Sequence, residues 1–419
     1  MFRRSPKTYS FMFIIKTILK KQSLKNSVLF CIVFTITCFF SFSCKKKYSD
    51  PYSELEHRGQ KNIQITEIQF DSLYLDASMT SFGGLWLMPE RGNKIYFADL
   101  HSVGVSRYDL DGNYETTLIE QGRGPNEMIA PIWAATFDRE GNFTAIDLNA
   151  ALHIYDSSLT QKIYYEPNAW FANLDENFGG KEWEKLSKNP DPEIPQMYEY
   201  NWWVDNIEYS DDLLYIPIIT EHKDYNYYNA TTRAKECWSN AYTFISLNPK
   251  NMSNTKKLLG HYPSVYQRSN IPIFGYYSFA FNSNRLLVSF NADPNIYVLD
   301  YNGRPLYCFG FEDSGISRDY PPTKNFTEFR ENASEYRKKY GFYNQIFAHR
   351  EYLLRTCCLD GEGKYKLQIY KNEEMIGDVF LDFPMRIIGC AKGGGYYAFV
   401  RKDIENEQFV LVRFKLNIN

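Results

Sequence analysis

The sequence predicts an all-β fold, a single six-bladed β-propeller closed by pairing of its N- and C-terminal strands, with insertions on one face. Three observations predict it. Aromatic residues make up 17% of the 419-residue chain, with Tyr 34 and Phe 31, a mixture that favours strands over helices. A unit recurs: "NKIYFADLHSVGVSRYDLDGNYETTL" from Asn93 aligns with "NFTAIDLNAALHIYDSSLTQKIYY" from Asn142, matching Asp99 to Asp147 and Tyr108-Asp109 to Tyr155-Asp156. A repeat of roughly 45 residues, holding four short strands, is the size of a propeller blade. Hairpin turn signals then continue to the end of the chain, at uneven offsets that grow from about 49 to about 70 residues in the middle.

Before the blades comes a leader. Arg3, Arg4, Lys7, Lys16, Lys20, Lys21 and Lys25 precede the apolar run "VLFCIVFTITCFF" from Val28 to Phe40, and no acidic residue occurs before Asp50. That is the layout of a secretory signal, and the run is shorter than the about 20 residues a membrane-spanning helix needs. Met12 is an alternative start that leaves the mature chain unchanged. The stretch "SFSCKKK" places Ser43 before Cys44 as in a bacterial lipobox, so Cys44 is the expected lipidation site. A plain secreted protein and an uncleaved anchor are the alternatives. The expected organisation is a signal peptide over 1–43, a lipid-anchored tether over 44–61 and the propeller over 62–419.

Removing 1–43 takes away seven of the 47 basic residues and no acids, leaving 40 Lys+Arg against 50 Asp+Glu, a net charge of −10. A domain this acidic is a poor partner for nucleic acid. Lys45, Lys46 and Lys47 either lie near lipid headgroups or belong to a solvated tether. Five cysteines remain beyond Cys44, namely Cys237, Cys308, Cys357, Cys358 and Cys390, an odd number without a C-x-x-C pair. Ordinary packing, rather than a disulfide framework or a zinc site, is what that spacing predicts.

Each blade has strands a to d. The a to b turns are "ERGN" (90–93), "REGN" (139–142), "SDD" (210–212), "NSN" (282–284), "HRE" (349–351) and "KGGG" (392–395), which makes six blades. The c to d turns are "DGN" (111–113), "SSLT" (157–160), "NPKN" (248–251), "NGR" (302–304) and "NEE" (372–374). The last blade lacks one, because the chain stops after "EQFVLVRFKL", its c strand. The unassigned "NIQITEIQF" (62–70) is therefore expected to supply the missing outer strand and close the ring.

Long insertions occupy 167–200, 221–240, 260–275 and 311–341. They fall between d and the next a, or between b and c, so all of them decorate the same face. Binding residues usually sit on such connections. The candidate ligand face comprises Arg123, Glu127, Trp170, Trp183, Tyr227, Trp238 and Tyr262; the competing reading is that these aromatics pack the insertions onto the ring. Within 311–341, Phe326 to Tyr340 predicts a short helix with Phe329 and Tyr336 inward.

No G-x-S-x-G elbow, H-E-x-x-H or Walker A motif occurs, and His57, His101, His153, His222, His261 and His349 are scattered without metal spacing. Gly122-Arg123-Gly124-Pro125-Asn126-Glu127 superficially suggests a phosphate cradle. Glu127 stands where a dinucleotide loop needs its third glycine, and a strand rather than a helix follows, so a blade-to-blade crossing is the better reading. Asp99, Asp147 and Asp300 follow apolar strands and are expected to fix turns. A metal site would instead need acids and amides of several a strands to converge on the channel, for example Asp205 with Asn344.

Cys44, "GRGPNEM" and the blade core "FTAIDLNAALHIYD" together resemble the six-bladed, TolB-like propeller lipoproteins of Bacteroidetes. The resemblance spans most of 62–419 and implies fold and location, an outer-membrane lipoprotein facing the periplasm or the surface, rather than a reaction. The expected function is a non-catalytic envelope binding module for a protein or glycan partner, membrane-attached through its lipid and without a cofactor. The alternative is a propeller hydrolase or lyase acting on a sugar or lactone through a divalent cation bound in the channel, and a structural subunit of an envelope complex is a third, weaker option.

Overall fold

One turn device, used repeatedly, builds the hairpins. Asp138 accepts the backbone N–H groups of Glu140 (2.8 Å) and Asn142 (2.8 Å) through Oδ1, and Asn142 Nδ2 donates to its Oδ2 at 2.7 Å. Asp109, Asp156 and Asp300 hold their turns in the same way. The second residue before each returning strand takes positive φ, at Gly112, Gly141 and Gly303, and at Leu159 with φ 60°. Asp99 and Asp147 make the equivalent bonds one turn later, to His101 and Asn149. The carboxylate satisfies N–H groups that a two-residue reversal would orphan, which is why these positions recur.

The computed structural model describes residues 50–416, apart from 77–79, 81–82, 90–92, 102–103, 125–126, 166–179, 205, 221, 227–232, 252–256 and 362. Six sheets form the ring. Blade 1 is Gly84–Leu87, Ile95–Asp99, Gly104–Tyr108 and Tyr114–Gln121. Blade 2 is Ile132–Phe137, Phe143–Asp147, Leu152–Tyr155 and Gln161–Tyr165. Blade 3 is Glu208–Ser210, Leu213–Thr220, Tyr242–Leu247 and Lys257–His261, with Tyr198–Tyr200 added beside its second strand. Blade 4 is Tyr277–Asn282, Arg285–Phe290, Ile296–Leu299 and Pro305–Phe309. Blade 5 is Phe342–His349, Tyr352–Cys358, Tyr365–Lys371 and Glu374–Leu381. Blade 6 is Arg386–Cys390, Tyr396–Asp403 and Gln408–Phe414. The expected hairpin turns fall between the strands they were assigned to, apart from 90–93, most of which lies outside the described residues.

The ring closes through its two ends, but with a different strand from the one expected. Phe70–Asp76 pairs antiparallel with Gln408–Phe414, from Phe70 opposite Phe414 to Asp76 opposite Gln408. Only Phe70 of the expected 62–70 takes part. The preceding Gln60–Ile65 runs parallel to Glu374–Leu381 as a fifth strand of blade 5. Each strand buries one residue, Leu75 with Trp86, Phe97 and Phe409, and Ile65 with Leu354, Ile369 and Ile376. The closing strand is the one that pairs along seven residues with the last strand of blade 6.

Residues 50–61, expected within the tether, are docked instead. The Tyr52 hydroxyl donates to the His261 carbonyl at 2.9 Å, and its ring lies 4.2 Å from that of Tyr297. His57 bridges Cys308 in parallel, with Arg58 N donating to Cys308 O at 2.8 Å. The segment covers the outer edges of blades 4 and 5, which would otherwise present unpaired backbone groups.

Side chains on or just before the inner strands bond across blade boundaries. Gln345 donates from Nε2 to Ile387 O and accepts from Ile387 N, both at 2.8 Å, copying a strand ladder between blades 5 and 6. Ser278 Oγ accepts from Ile346 N at 3.1 Å, and Asn206 Nδ2 donates to Phe279 O at 3.0 Å. Such bonds satisfy backbone groups that face a neighbouring sheet rather than a paired strand.

The insertions carry helices Gly180–Lys188, Ala234–Asn240, Ser264–Arg268 and Phe326–Tyr340. The last spans the residues expected. Asn325 caps it by accepting from Glu328 N, Gly341 follows it at φ 65°, Phe329 is buried and Tyr336 packs partly buried against the core. Cys237, Cys308, Cys357 and Cys390 are buried free thiols, and Cys358 is intermediate.

Candidate functional site

The glycine-rich crossing is filled from within. Glu127 Oε2 accepts the Gly124 N–H at 2.6 Å, Glu127 N donates to Gly124 O at 3.1 Å, and Gly122 N donates to Met128 O at 3.0 Å. A Cβ at Gly122 would overlap the Glu127 carboxylate. The anion that a glycine cradle would hold is thus supplied by the chain itself, and Glu127–Met128 forms a short parallel strand beside Tyr114–Gln121. Pro125 and Asn126 lie outside the described residues.

The aromatic candidates separate. Trp238 is 1% exposed, wedged between Tyr262 (ring centroids 4.6 Å apart) and Tyr266 (4.9 Å), and its Nε1 donates to Asn270 Oδ1 at 2.7 Å. Tyr262 is equally buried. These two belong to the core that seats the insertions, so their placement on a ligand face is corrected: neither presents a surface to a ligand. Trp183 is 48% exposed on its helix, and Arg123 is exposed on the crossing. Trp170, Tyr227, Asp205 and Cys44 lie outside the described residues.

The inner strands of all six blades converge on a lumen of about 420 Å³. Blade 1 contributes Leu85 to Met88, blade 2 Ala135 to Phe137, blade 3 Glu208 and Tyr209, blade 4 Tyr277 and Ser278, blade 5 Asn344 to Phe347, and blade 6 Arg386 to Ile388. At the insertion-bearing end Trp203, Asn206, Tyr276, Asn291 and Arg337 join the wall. None of Arg123, Glu127, Trp183, Trp238 and Tyr262 reaches it.

Each mouth residue has a structural reason for its place. Trp203 sits in the turn Asn201–Val204, where Asn201 Oδ1 accepts its N–H at 3.1 Å and Val204 N donates to Asn201 O at 2.9 Å. Its ring meets Tyr276 and Phe329 edge-on at 5.9 and 5.6 Å, yet the residue stays 41% exposed. Arg337 projects from the helix Phe326–Tyr340, with its guanidinium carbon 3.7 Å above the Phe342 ring and 4.6 Å from that of Tyr276. Its Nη1 donates to Ile273 O at 3.1 Å. Burial lowers its pKa, a shift opposed by the neighbouring Tyr276 and Cys358.

Glu208 is the one carboxylate among the described lumen residues. Burial raises its pKa from 4.5 to about 7, against the pull of hydrogen bonds from Asn206 and the Phe281 backbone. Arg337 and Arg386 are also among the residues that line the cavity. Asn344, a candidate cation ligand, donates to Thr356 Oγ1 at 3.5 Å. Among the described residues no group of three or more His, Cys, Asp and Glu could hold a metal ion.

Trp203, Glu208, Arg337 and Arg386 were not singled out in the sequence. Polar residues at the start of otherwise apolar inner strands ("NIEYS", "FYNQIF", "RIIGC") are the signal that marks this lumen, since a residue facing a packed core would be apolar.

No protein-family model matches the chain, and no curated protein matches it. Solved structures do. A member of the DUF4221 family from Bacteroides vulgatus ATCC 8482 superposes with a TM-score of 0.61 at 14% identity, covering 84% of this chain and 99% of its own. A protein of Bacteroides fragilis NCTC 9343, whose name assigns it to export, gives 0.51 at 10% identity, covering 86% and 99%. At these identities the likeness is one of fold, and the chain is an all-β, six-bladed propeller.

Proposed function

We propose that the protein is a non-catalytic binding module of the cell envelope, a TolB-like propeller lipoprotein held at the outer membrane through Cys44, whose lumen takes the end of a glycan from the insertion-bearing face. One observation carries the binding reading: six inner strands meet at a single lumen that combines amides, a carboxyl and guanidiniums with an exposed indole at its mouth. Sugars are held by that combination, with amides and charged groups bonding the hydroxyls while an aromatic face takes the apolar side of the ring. Glu208 is the one carboxylate among the described lumen residues, fewer than the several acids that a channel-bound divalent cation needs.

Export is supported by the basic segment and apolar run before Cys44, and by the name of the Bacteroides fragilis protein of similar fold. No helix among the described residues is long and apolar enough to cross a membrane. The test is a glycan-array screen of the purified protein beside Trp203→Ala. Array signals that Trp203→Ala abolishes support the reading. An array without signals, combined with a neighbouring envelope protein retained in a pull-down, would replace the glycan with a protein partner.

A further inference from the structure

We propose that the insertion-bearing face of the propeller lies against a lipid surface, with Ile129, Leu148 and Phe326 touching the bilayer that holds the Cys44 lipid. The inference rests on the lipid anchor proposed above and adds the face by which the ring meets the membrane.

The distribution of exposed apolar residues is the first ground. Singly, such residues are ordinary on any protein surface. Here they are divided unequally between the two faces. Among the described residues, large apolar side chains stand exposed on the insertion-bearing face at Ile129, Leu148, Trp183, Trp203, Phe326 and Ile404, spread around the ring from blade 1 to blade 6. On the opposite face Tyr301 alone stands exposed within a turn, and the remaining exposed ones lie in strands. The length of the insertions does not account for this, because Leu148 and Ile404 stand in short b to c reversals, 148–151 and 404–407. An apolar side chain at such a tip has no core to fill. It gains by entering the boundary between headgroups and acyl chains, a depth that tryptophan also favours.

The place where the described chain begins is the second ground. Asp50 accepts the Ser264 N–H through Oδ2 at 3.2 Å, within the insertion 260–275. Tyr52 donates to the carbonyl of His261, the last residue of the blade 3 outer strand, which leads into the same insertion. The docked segment therefore starts on the insertion-bearing face.

Reach then decides which face meets the membrane. Cys44 precedes Asp50 by six residues, which span about 20 Å when fully extended. A free tether over 44–61 would span about 60 Å and let either face turn to the bilayer. Strands of the ring run to eight residues, a rise of about 26 Å, so a reach of about 20 Å from one end does not clear the other. The lumen opens on the tethered face, so a ligand enters it from the membrane side.

The test uses the full chain, made in a host that processes lipoproteins, purified and reconstituted into vesicles of phosphatidylcholine and phosphatidylethanolamine. Mass spectrometry first reads whether Cys44 carries lipid. The photoreactive residue benzoylphenylalanine then replaces Leu148, Phe326 or Tyr301, one at a time, and lipid adducts are measured after illumination. All three positions are exposed, so the fold tolerates the larger side chain. The expected result is adducts at Leu148 and Phe326, severalfold above Tyr301. Adducts at Tyr301 equal to or above the other two, or none at any position, would overturn the inference while leaving the anchor in place. A Cys44 without lipid would remove the anchor and this inference together. The vesicles hold no glycan, so the glycan reading stands or falls by its own test.

Discussion

Replacing Glu208 with Gln should make the protein more stable in alkaline solution. In the folded protein the carboxyl has its pKa raised from 4.5 to about 7 by burial, while in the unfolded chain it titrates normally. Between those two values the folded state holds the extra proton, so stability is full below about pH 4.5 and is lost as pH rises through 7. The shift corresponds to at most about 3 kcal/mol at pH above 7, and water in the lumen reduces this to about 1–3 kcal/mol. An amide keeps the shape and can still accept from Asn206 Nδ2, which donates to Glu208 Oε1 at 3.3 Å. Other titratable or charged groups on the lumen wall are Arg337, Arg386, Tyr209, Tyr276 and Tyr277. The tyrosines whose shifts are resolved, Tyr209, Tyr276 and Tyr277, move upward, away from the window, so Glu208 is the group that titrates within it. Urea midpoints at pH 4.5 and 8.5 provide the assay. Wild type and Glu208→Gln should coincide at the lower pH, and the variant should unfold at higher urea at pH 8.5. A variant less stable than wild type at pH 8.5 would refute the reasoning, because it would mean the ionised carboxylate is held by a cation.

Three further predictions concern the scaffold. Leu75→Ala removes a fully buried side chain from the closing strand and should cost about 2–5 kcal/mol, read as a lower urea midpoint together with faster proteolysis near 70–76. Gly122→Ala forces the Glu127 carboxylate off the Gly124 N–H and should cost about 1–3 kcal/mol while leaving ligand binding unchanged; a large effect on binding would mean the crossing touches the ligand after all. Gln345→Ala strips two bonds from the Ile387 backbone at the boundary between blades 5 and 6 and should lower stability by about 1–3 kcal/mol, with amide exchange of Ile387 accelerated.

Much of the ring was legible because its information is local. An Asp followed three residues later by Gly marks a hairpin at Asp109, Asp138 and Asp300 wherever it stands, and the cap at Asn325 with Gly341 beyond it delimits a helix in the same way. Closure by the chain ends was inferable from a missing outer strand. Which segment supplied it was not, since Gln60–Ile65 and Phe70–Asp76 both alternate and bury one apolar residue each, and only their distant partner strands separate them. The docked segment through Tyr52 and His57 was hidden for a related reason, as its partners His261, Tyr297 and Cys308 are more than 200 residues away.

The lumen was harder to read. Its wall is assembled from residues between Leu85 and Ile388, a few per blade, and no local pattern declares that they meet. Aromatic density in the insertions signalled importance without direction. Trp238 lies in the insertion 221–240 and Trp203 just beyond the insertion 167–200, yet one fills the core under Tyr262 and the other faces the mouth. Side-chain direction in such segments depends on long-range packing, whereas in a strand it follows from alternation.

The central claim is that the lumen, entered past Trp203, is where a glycan binds. Calorimetric titration of the tightest array hit against wild type and Trp203→Ala tests it most directly. Loss of the stacking face should weaken binding at least tenfold, equivalent to about 1.4 kcal/mol, in a variant that still unfolds cooperatively. Undiminished affinity in a folded Trp203→Ala protein would contradict it.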